Sequence, residues 1–232
     1  MGAITAKAVI QQNKLFKHLP DSTIDKLTVI SQRKSFPKNK VIFLQGDEGD
    51  AFYGVISGQV RISAATEDGQ EIHLNLLESG DSFGEIAILD GQPRTAGATA
   101  VRPTDVIVIE RRAFLNLLET EPQLPILLLM LFCKNFRWTS EQVEDAAFLD
   151  VPKRLAKRLL DLSRRHGTQT DKGIELSISQ HELATYLSIS RQIVNHHLQE
   201  WHGHRWVDLS RGKILVNNTE ALSRFVTTGE LD

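Results

Sequence analysis

The rhythm of apolar and polar positions along this chain changes twice. From about residue 33 to 110 the apolar positions come in short β-branched and aromatic runs. These are Val41-Ile42-Phe43-Leu44, Phe52-Tyr53-Gly54-Val55-Ile56, Val60-Arg61-Ile62, Ile72-His73-Leu74 and Val106-Ile107-Val108-Ile109. Turn residues part them at close spacing: Gly46-Asp47, Gly49-Asp50, Ser57-Gly58, Glu67-Asp68-Gly69 and Ser79-Gly80-Asp81. Such spacing predicts an antiparallel sandwich, jelly roll or barrel. A short helix precedes it, with Ser22 and Asp25 spaced as a capping box and Ile24, Leu27, Val29 and Ile30 as its apolar face.

After Pro125 the pattern turns helical until about Leu149. Leu129, Phe132, Phe136, Thr139, Val143 and Ala146 follow alternating steps of three and four, a heptad seam with one polar member. Leu127, Leu128 and Leu131 make a second apolar face. A helix apolar on two sides has two surfaces to cover, one by its own β domain and one by a second copy of itself. An amphipathic helix lying only on the β domain is the competing arrangement.

Asp150 is placed as an N-cap, with Val151 and Pro152 in the first turn of the next helix. It makes Phe148-Leu149-Asp150 a hinge. The pattern continues as a helix over Lys153 to Ser163 and a polar surface loop over His166 to Lys172. A helix from Gln180 to Leu187 then directs Leu183, Ala184 and Leu187 inward, Ser188-Ile189 turn the chain, and Ser190 caps a second helix beginning at Arg191. In that second helix Ile193, Val194 and Leu198 face the core. This is the helix-turn-helix pattern, though an ordinary αα-hairpin with a solvated face has the same outline. Arg191, Gln192, Asn195, His196 and Gln199 lie outward, where Arg suits guanine and Gln or Asn suits adenine. Trp206 to Leu209 and Lys213 to Val216 flank Ser210-Arg211-Gly212, a β-hairpin with two cations at its tip that can act as a wing on phosphates. The candidate DNA contacts are Ser179, Gln180, Ser190, Arg191, Gln192, Asn195, His196 and Lys213.

Composition adds limits. Across 232 residues, 41% apolar and 24% charged content is that of an ordinary globular chain, with no need of disulfides or a structural metal. The lone Cys133 cannot form an internal disulfide, and its apolar neighbours predict burial. The N-terminal stretch lacks the apolar core of a signal peptide, and Leu124 to Cys133 is too short to span a bilayer, so the expectation is a cytoplasmic protein without membrane contact. Net charge is −2, but residues 150–232 hold 12 Lys+Arg against 10 Asp+Glu and the remainder 15 against 19. Six of the eight histidines also fall in the C-terminal part. The predicted domains are residues 1–122, a β domain; 123–149, a dimerisation helix and hinge; and 150–232, a DNA-binding domain.

One stretch joins the chemistry. Phe83-Gly84-Glu85-Ile86-Ala87 leads through a short apolar turn to Pro93-Arg94-Thr95-Ala96. Gly84 lets backbone approach a ligand closely. Free N–H groups of the following helical turn suit an anion. Glu85, acceptor-only when ionised, suits a sugar hydroxyl, and the planar fork of Arg94 matches two phosphate oxygens. Together they would hold a small sugar phosphate.

With these parts placed, the sequence resembles the CRP/FNR family of bacterial transcription regulators over almost its whole length. The residues that carry the likeness are Phe83-Gly84-Glu85, Pro93-Arg94-Thr95-Ala96, Trp138-Thr139-Ser140-Glu141, Ala147-Phe148-Leu149-Asp150 and Ser190-Arg191. The resemblance is to the cyclic-AMP receptor branch, since the N-terminal cysteine cluster of FNR-like oxygen sensors has no counterpart here. It implies an α+β fold: an N-terminal cyclic-nucleotide-binding β-jelly roll, a long dimerisation helix and a C-terminal winged helix-turn-helix.

It further implies that Glu85 takes the ribose 2′-hydroxyl and that Arg94, Thr95, Gly84 and the amides at Ile86 and Ala87 hold the cyclic phosphate. Thr139 and Ser140 would reach the base, Ser140 from the opposite subunit. The implied partners are the cyclic nucleotide as allosteric ligand, a palindromic DNA operator, a second copy of the chain and RNA polymerase, which relatives touch near residues 166–172. No cofactor, metal or catalytic residue is implied.

This chain departs from the branch in places. Arg94-Thr95 replaces the usual Arg-Ser, and a threonine hydroxyl there can accept from the 2-amino group of guanine, so cyclic GMP is expected to bind alongside cyclic AMP. Asn135 replaces an arginine, and Ser188 replaces a turn glycine, which makes a positive φ there cost a little. Gln192 and His196 replace Glu and Arg on the reading helix, so only part of the usual half-site should be shared. Two other functions compete. A phosphodiesterase would need a metal cluster or a poised nucleophile, and His73 stands isolated. A constitutive DNA-binding dimer with a non-sensing β domain would have no use for Glu85 and Arg94.

Overall fold

A computed structural model of the chain describes residues 6–231. It divides into two compact units, the first ending at Phe136 and the second starting at Arg137.

The first unit opens with helices α1 (Ala6–Gln12) and α2 (Asp21–Ile30). The expected Ser22–Asp25 capping box is not formed. Pro20 serves as N-cap instead, its carbonyl taking the amides of Thr23 and Ile24, and Asp25 turns to Lys7, 2.6 Å away. Val29 alone of the expected apolar face points to solvent, while Ile24 and Leu27 are buried and Ile30 packs partly buried against the same core.

Strands β1 (Ser31–Phe36), β2 (Val41–Phe43), β3 (Ala51–Ser57), β4 (Gln59–Ala65), β5 (Glu71–Glu78) and β6 (Ser82–Phe83) follow. The short helix α3 (Glu85–Asp90) interrupts them before β7 (Gly97–Ala100) and β8 (Thr104–Glu110). They form two antiparallel four-stranded sheets, in the orders β1-β8-β3-β6 and β2-β7-β4-β5. The period of two along a strand explains the continuous apolar runs of β3 and β8. Tyr53, Val55, Val106 and Val108 join the core shared with Val60, Leu77, Phe83 and Ala98. Phe52, Ile107 and Ile109, on alternate positions, join a second core with Ile10, Phe16, Ile24 and Leu27.

That second core is completed by α4 (Arg111–Thr120) and the start of α5 (Gln123–Phe148), through Phe114, Leu117, Leu124 and Leu128. Leu127 and Leu131 pack against it as well, so one apolar face of the long helix covers the β domain as predicted. The seam face does the opposite: Leu129, Phe136 (74% exposed) and Val143 (64% exposed) point outward. Cys133 is on that outer side and is exposed, against expectation, because the helical phase turns it away from Leu124 and Leu128.

In the second unit α6 (Val151–His166) starts at Asp150, whose side chain accepts from the Lys153 amide at 3.0 Å. The predicted loop after it is ordered as a hairpin, β9 (Thr168–Thr170) and β10 (Gly173–Leu176). It pairs with the wing strands β11 (Val207–Ser210) and β12 (Lys213–Val216) in one sheet of order β11-β12-β10-β9. Partners some 40 residues downstream supply what the polar sequence lacks. Between the hairpins lie α7 (Gln180–Leu187) and α8 (Arg191–Gly203), and α9 (Thr219–Thr228) closes the chain. Leu155, Leu159, Leu183, Val194, Leu198, Trp201 and Leu222 are buried here. No single helix among the described residues is long and apolar enough to cross a membrane.

Candidate functional site

The turn from β6 into α3 needs glycine. Gly84 is the N-cap of α3 at φ 83°, and a Cβ there would sit 2.8 Å from Arg94 Nη1. Gly49 packs as closely on the other side, since a Cβ on it would fall 2.6 Å from that of Ala87. The loop around residue 49 therefore lies flush against α3. Two backbone bonds tie the same loop to the arginine: Gly46 N–H to Arg94 O at 2.9 Å and Arg94 N–H to Asp47 O at 2.8 Å.

The Arg94 side chain is 3% exposed. Its Nη1 donates to Gly84 O at 2.7 Å, and its Nη2 to Ala51 O at 2.8 Å and Asp50 Oδ1 at 3.1 Å. The guanidinium carbon lies 4.2 Å from the Phe43 ring centroid and 5.7 Å from that of Tyr53. Nε is buried and makes no hydrogen bond among the described residues. Three of the five N–H groups of a guanidinium thus serve the protein's own backbone and Asp50, more than a fork reserved for phosphate would spend. The sequence places Phe43 and Tyr53 in strand runs and Gly49-Asp50 in a turn, and nothing local points from Asp50 to Arg94, 44 residues ahead.

Glu85 is 7% exposed, and burial pushes its carboxyl above the ordinary value, against its own backbone hydrogen bond and the charge of Arg94. Tyr53 is raised too, first by burial and then by Asp50. Ala87 is buried, while Ile86 and Thr95 are exposed beside them. At the far end of α3, Arg111 Nε donates to Ile88 O at 2.9 Å. The cassette therefore gathers Gly84, Glu85, Ile86, Ala87, Arg94 and Thr95 in one place. Thr139, exposed, and Ser140, half-buried, lie on α5 within the second unit.

In the second unit, Ser179 and Glu182 form a full capping box on α7, which commits the Ser179 hydroxyl. Gln180 beside it is half-buried. Ser188 takes the left-handed conformation at φ 52°, the strained turn the sequence implied. Ser190 caps α8 by accepting from the Ile193 amide at 3.3 Å. Arg191, Gln192, Asn195, His196 and Gln199 are all exposed along one side of α8. Ile193, expected inside, is 40% exposed, because Val194, Leu198 and Trp201 already set the buried stripe at steps of four and three. On the wing, Arg211 is exposed, while Lys213 pairs with Glu175 at 2.7 Å. Among the described residues no group of three or more His, Cys, Asp or Glu is placed to hold a metal.

Comparison with known proteins finds two domain families in this chain. Residues 33–121 match a cyclic nucleotide-binding domain and residues 153–225 a Crp-like helix-turn-helix domain. A CRP-like cAMP-activated global transcriptional regulator of Mycobacterium tuberculosis is 32% identical over 218 residues, covering 93% of this chain and 97% of that one. The cyclic AMP receptor protein of Thermus thermophilus is 33% identical over 208 residues, covering 90% and 94%. Among solved structures, a c-di-GMP responsive global regulator of Xanthomonas campestris shares the fold at a TM-score of 0.78, with 24% identity over 86% of this chain and all of that one. With a buried Glu-Arg cassette in a β domain and a capped reading helix on the same polypeptide, this chain belongs to the CRP/FNR family of transcription regulators.

Proposed function

We propose that this chain is a cyclic-nucleotide-responsive, sequence-specific DNA-binding regulator that works as a homodimer. The observation that carries the reading is the burial of Glu85 and Arg94, two opposite charges, around the single turn of α3. Burying charge in a small domain is costly unless its groups are matched, and beyond the bonds of Arg94 to Gly84, Ala51 and Asp50 its buried Nε makes no hydrogen bond among the described residues. A cyclic nucleotide supplies a hydroxyl for one and a phosphate for the other. Glu85 takes the ribose hydroxyl; Arg94, with Gly84, Thr95 and the amides at Ile86 and Ala87, faces the phosphate. Thr139 and Ser140 complete the site from the long helices of the dimer.

Cyclic AMP is the ligand that the names of the relatives support. Thr95 extends the expectation to cyclic GMP. The exposed stripe of Leu129, Phe136 and Val143 is the dimer seam. A two-fold axis along it sets the two reading helices about 34 Å apart, so the operator is a palindrome read by Arg191, Gln192, Asn195 and His196. Gln180 and Lys213 add phosphate contacts, Ser179 and Ser190 cap the helix N-termini that face the DNA backbone, and RNA polymerase meets the region around residues 166–172.

Ligand acts by binding one dimer arrangement more tightly than another. The test is DNA affinity, by fluorescence anisotropy, with no nucleotide, with cyclic AMP and with cyclic GMP. Stimulation by either supports a sensor. Equal binding in all three makes the chain a constitutive DNA-binding dimer. Stimulation by cyclic AMP alone removes the cyclic GMP assignment.

A further inference from the structure

Arg158 is a charged residue in the middle of α6, yet it is only 8% exposed. Its guanidinium carbon lies 5.4 Å from the ring centroid of Trp138 on α5 and 5.5 Å from that of Tyr186 on α7. Nη2 donates to Gln142 Oε1 on α5, and Nη1 is 3.8 Å from Asp161 Oδ2 on its own helix. Beside it, Lys157 Nζ reaches Asp145 Oδ1 at 2.5 Å, and Arg165 adds a second cation 5.9 Å from the Trp138 ring. Trp138, Gln142 and Asp145 recur at steps of four and three, so they share one face of α5.

Two consequences follow from this arrangement. The end of α5 and the beginning of α6 fold back on each other, so the break at Leu149-Asp150 is braced on both sides by side chains. Also, Tyr186 stands in the last turn of α7, two residues before the Ser188 turn, and Ile189 N–H bonds Ala184 O at 3.2 Å across that turn. One buried side chain therefore touches the long helix, α6 and the first helix of the DNA-reading pair. Burial works against its charge, with Asp161 the first compensating partner. Withdrawing Trp138 and Gln142 would leave that charge poorly matched, so this contact is docked or undocked rather than graded.

We propose that Arg158 is the positioning residue that makes residues 138–148, α6 and α7 move as one body. A shift of α5 at Thr139 and Ser140 is then delivered to the reading helix instead of being absorbed at Leu149-Asp150. The proposal rests on the reading of the chain as a nucleotide sensor and adds the residue that carries its signal.

The test uses the full chain and four variants: Arg158→Gln, Arg158→Lys, Trp138→Leu and Trp138→Phe. Each is measured for cyclic AMP affinity by calorimetry, for DNA affinity with and without saturating cyclic AMP, and for hydrogen exchange across residues 138–148 and 180–187. Arg158→Gln and Trp138→Leu should bind cyclic AMP as the parent does, while its stimulation of DNA binding falls about tenfold. Their two segments should lose exchange protection independently, where the parent's open together. Trp138→Phe keeps an aromatic face and should retain most of the stimulation. Arg158→Lys keeps the charge without the planar fork and should not. Full stimulation with joint exchange in Arg158→Gln and Trp138→Leu overturns the proposal. If the parent itself shows no stimulation, the sensor reading fails instead, and hydrogen exchange alone decides the bracing: unchanged joint opening in Arg158→Gln overturns it. Should the glutamine variant not fold, Arg158→Lys carries the same decision.

Discussion

At Arg94 two demands meet in one side chain. As a phosphate ligand it would be dispensable to the fold, but its bonds to Gly84 O and Ala51 O make it part of the β domain's frame. Arg94→Ala should therefore abolish cyclic-nucleotide binding and also destabilise the first unit by about 2–4 kcal/mol, since two carbonyls lose a charged donor. Calorimetric unfolding of the variant checks the second effect. An alanine variant with parental stability would make the arginine a pure ligand group.

Glu85→Gln is the cleaner probe of the site, because it keeps the shape and removes the charge. Burial raises the Glu85 carboxyl above its ordinary 4.5. The folded state thus holds its proton to higher pH than the unfolded chain does, and this group's contribution to stability falls as pH rises from 4.5 through the raised value. Cyclic-nucleotide affinity should move the other way, increasing as Glu85 ionises and accepts the ribose hydroxyl. Titration calorimetry from about pH 5 to 8 should show that climb in the parent and a flat profile in Glu85→Gln. Glu85 and Arg94 were legible in the sequence because they sit in one short stretch with a glycine before and a threonine after. Asp50 was not, nor was Arg158, because Arg94 for the one and Trp138, Gln142 and Tyr186 for the other come from distant elements that no local pattern announces.

The long helix shows at the scale of an element what periodicity can and cannot settle. Its two apolar faces were readable from steps of three and four, and the face at Leu124 and Leu128 does cover the β domain. The phase of Cys133 was misread, since a continuous apolar run conceals which side each residue takes. Phe136→Glu combined with Val143→Glu should convert a dimer to monomer in sedimentation velocity while leaving the unfolding midpoint of the first unit nearly unchanged. Leu128→Ala should do the reverse, lowering stability by about 2–5 kcal/mol.

In the reading unit, the Ser188 turn was legible from the missing glycine, whereas the hairpin at Thr168–Leu176 was not, because its stability comes from β12. A β-branched residue cannot adopt the left-handed turn without strain. Ser188→Val should cost about 1–2 kcal/mol and lower DNA affinity with it, as thermal unfolding and anisotropy together would show.

For the whole molecule, the two units have separate cores and separate chemistry, which is why a cyclic nucleotide-binding domain and a helix-turn-helix domain match disjoint stretches of the chain. The charge split drawn at residue 150 does not follow this division, because residues 137–232 hold 13 Lys+Arg against 13 Asp+Glu. One further feature governs how such a molecule meets its own copies. An unpaired sheet edge is a template for uncontrolled strand addition, yet each edge of the β domain is blunted. The edge strand β1 carries Arg33 and Lys34, both exposed, and Arg33 is pinned to Asp105 at 2.6 Å. Opposite it, β6 has only two residues. In the other sheet β2 is three residues long with a shifted register, and β5 begins and ends in glutamate. The polar sequence of β1, uninformative as a strand signal, is a guard against fibre growth. It leaves the exposed helical stripe free for the proposed pairing of two chains, an assembly that would stop at a closed pair.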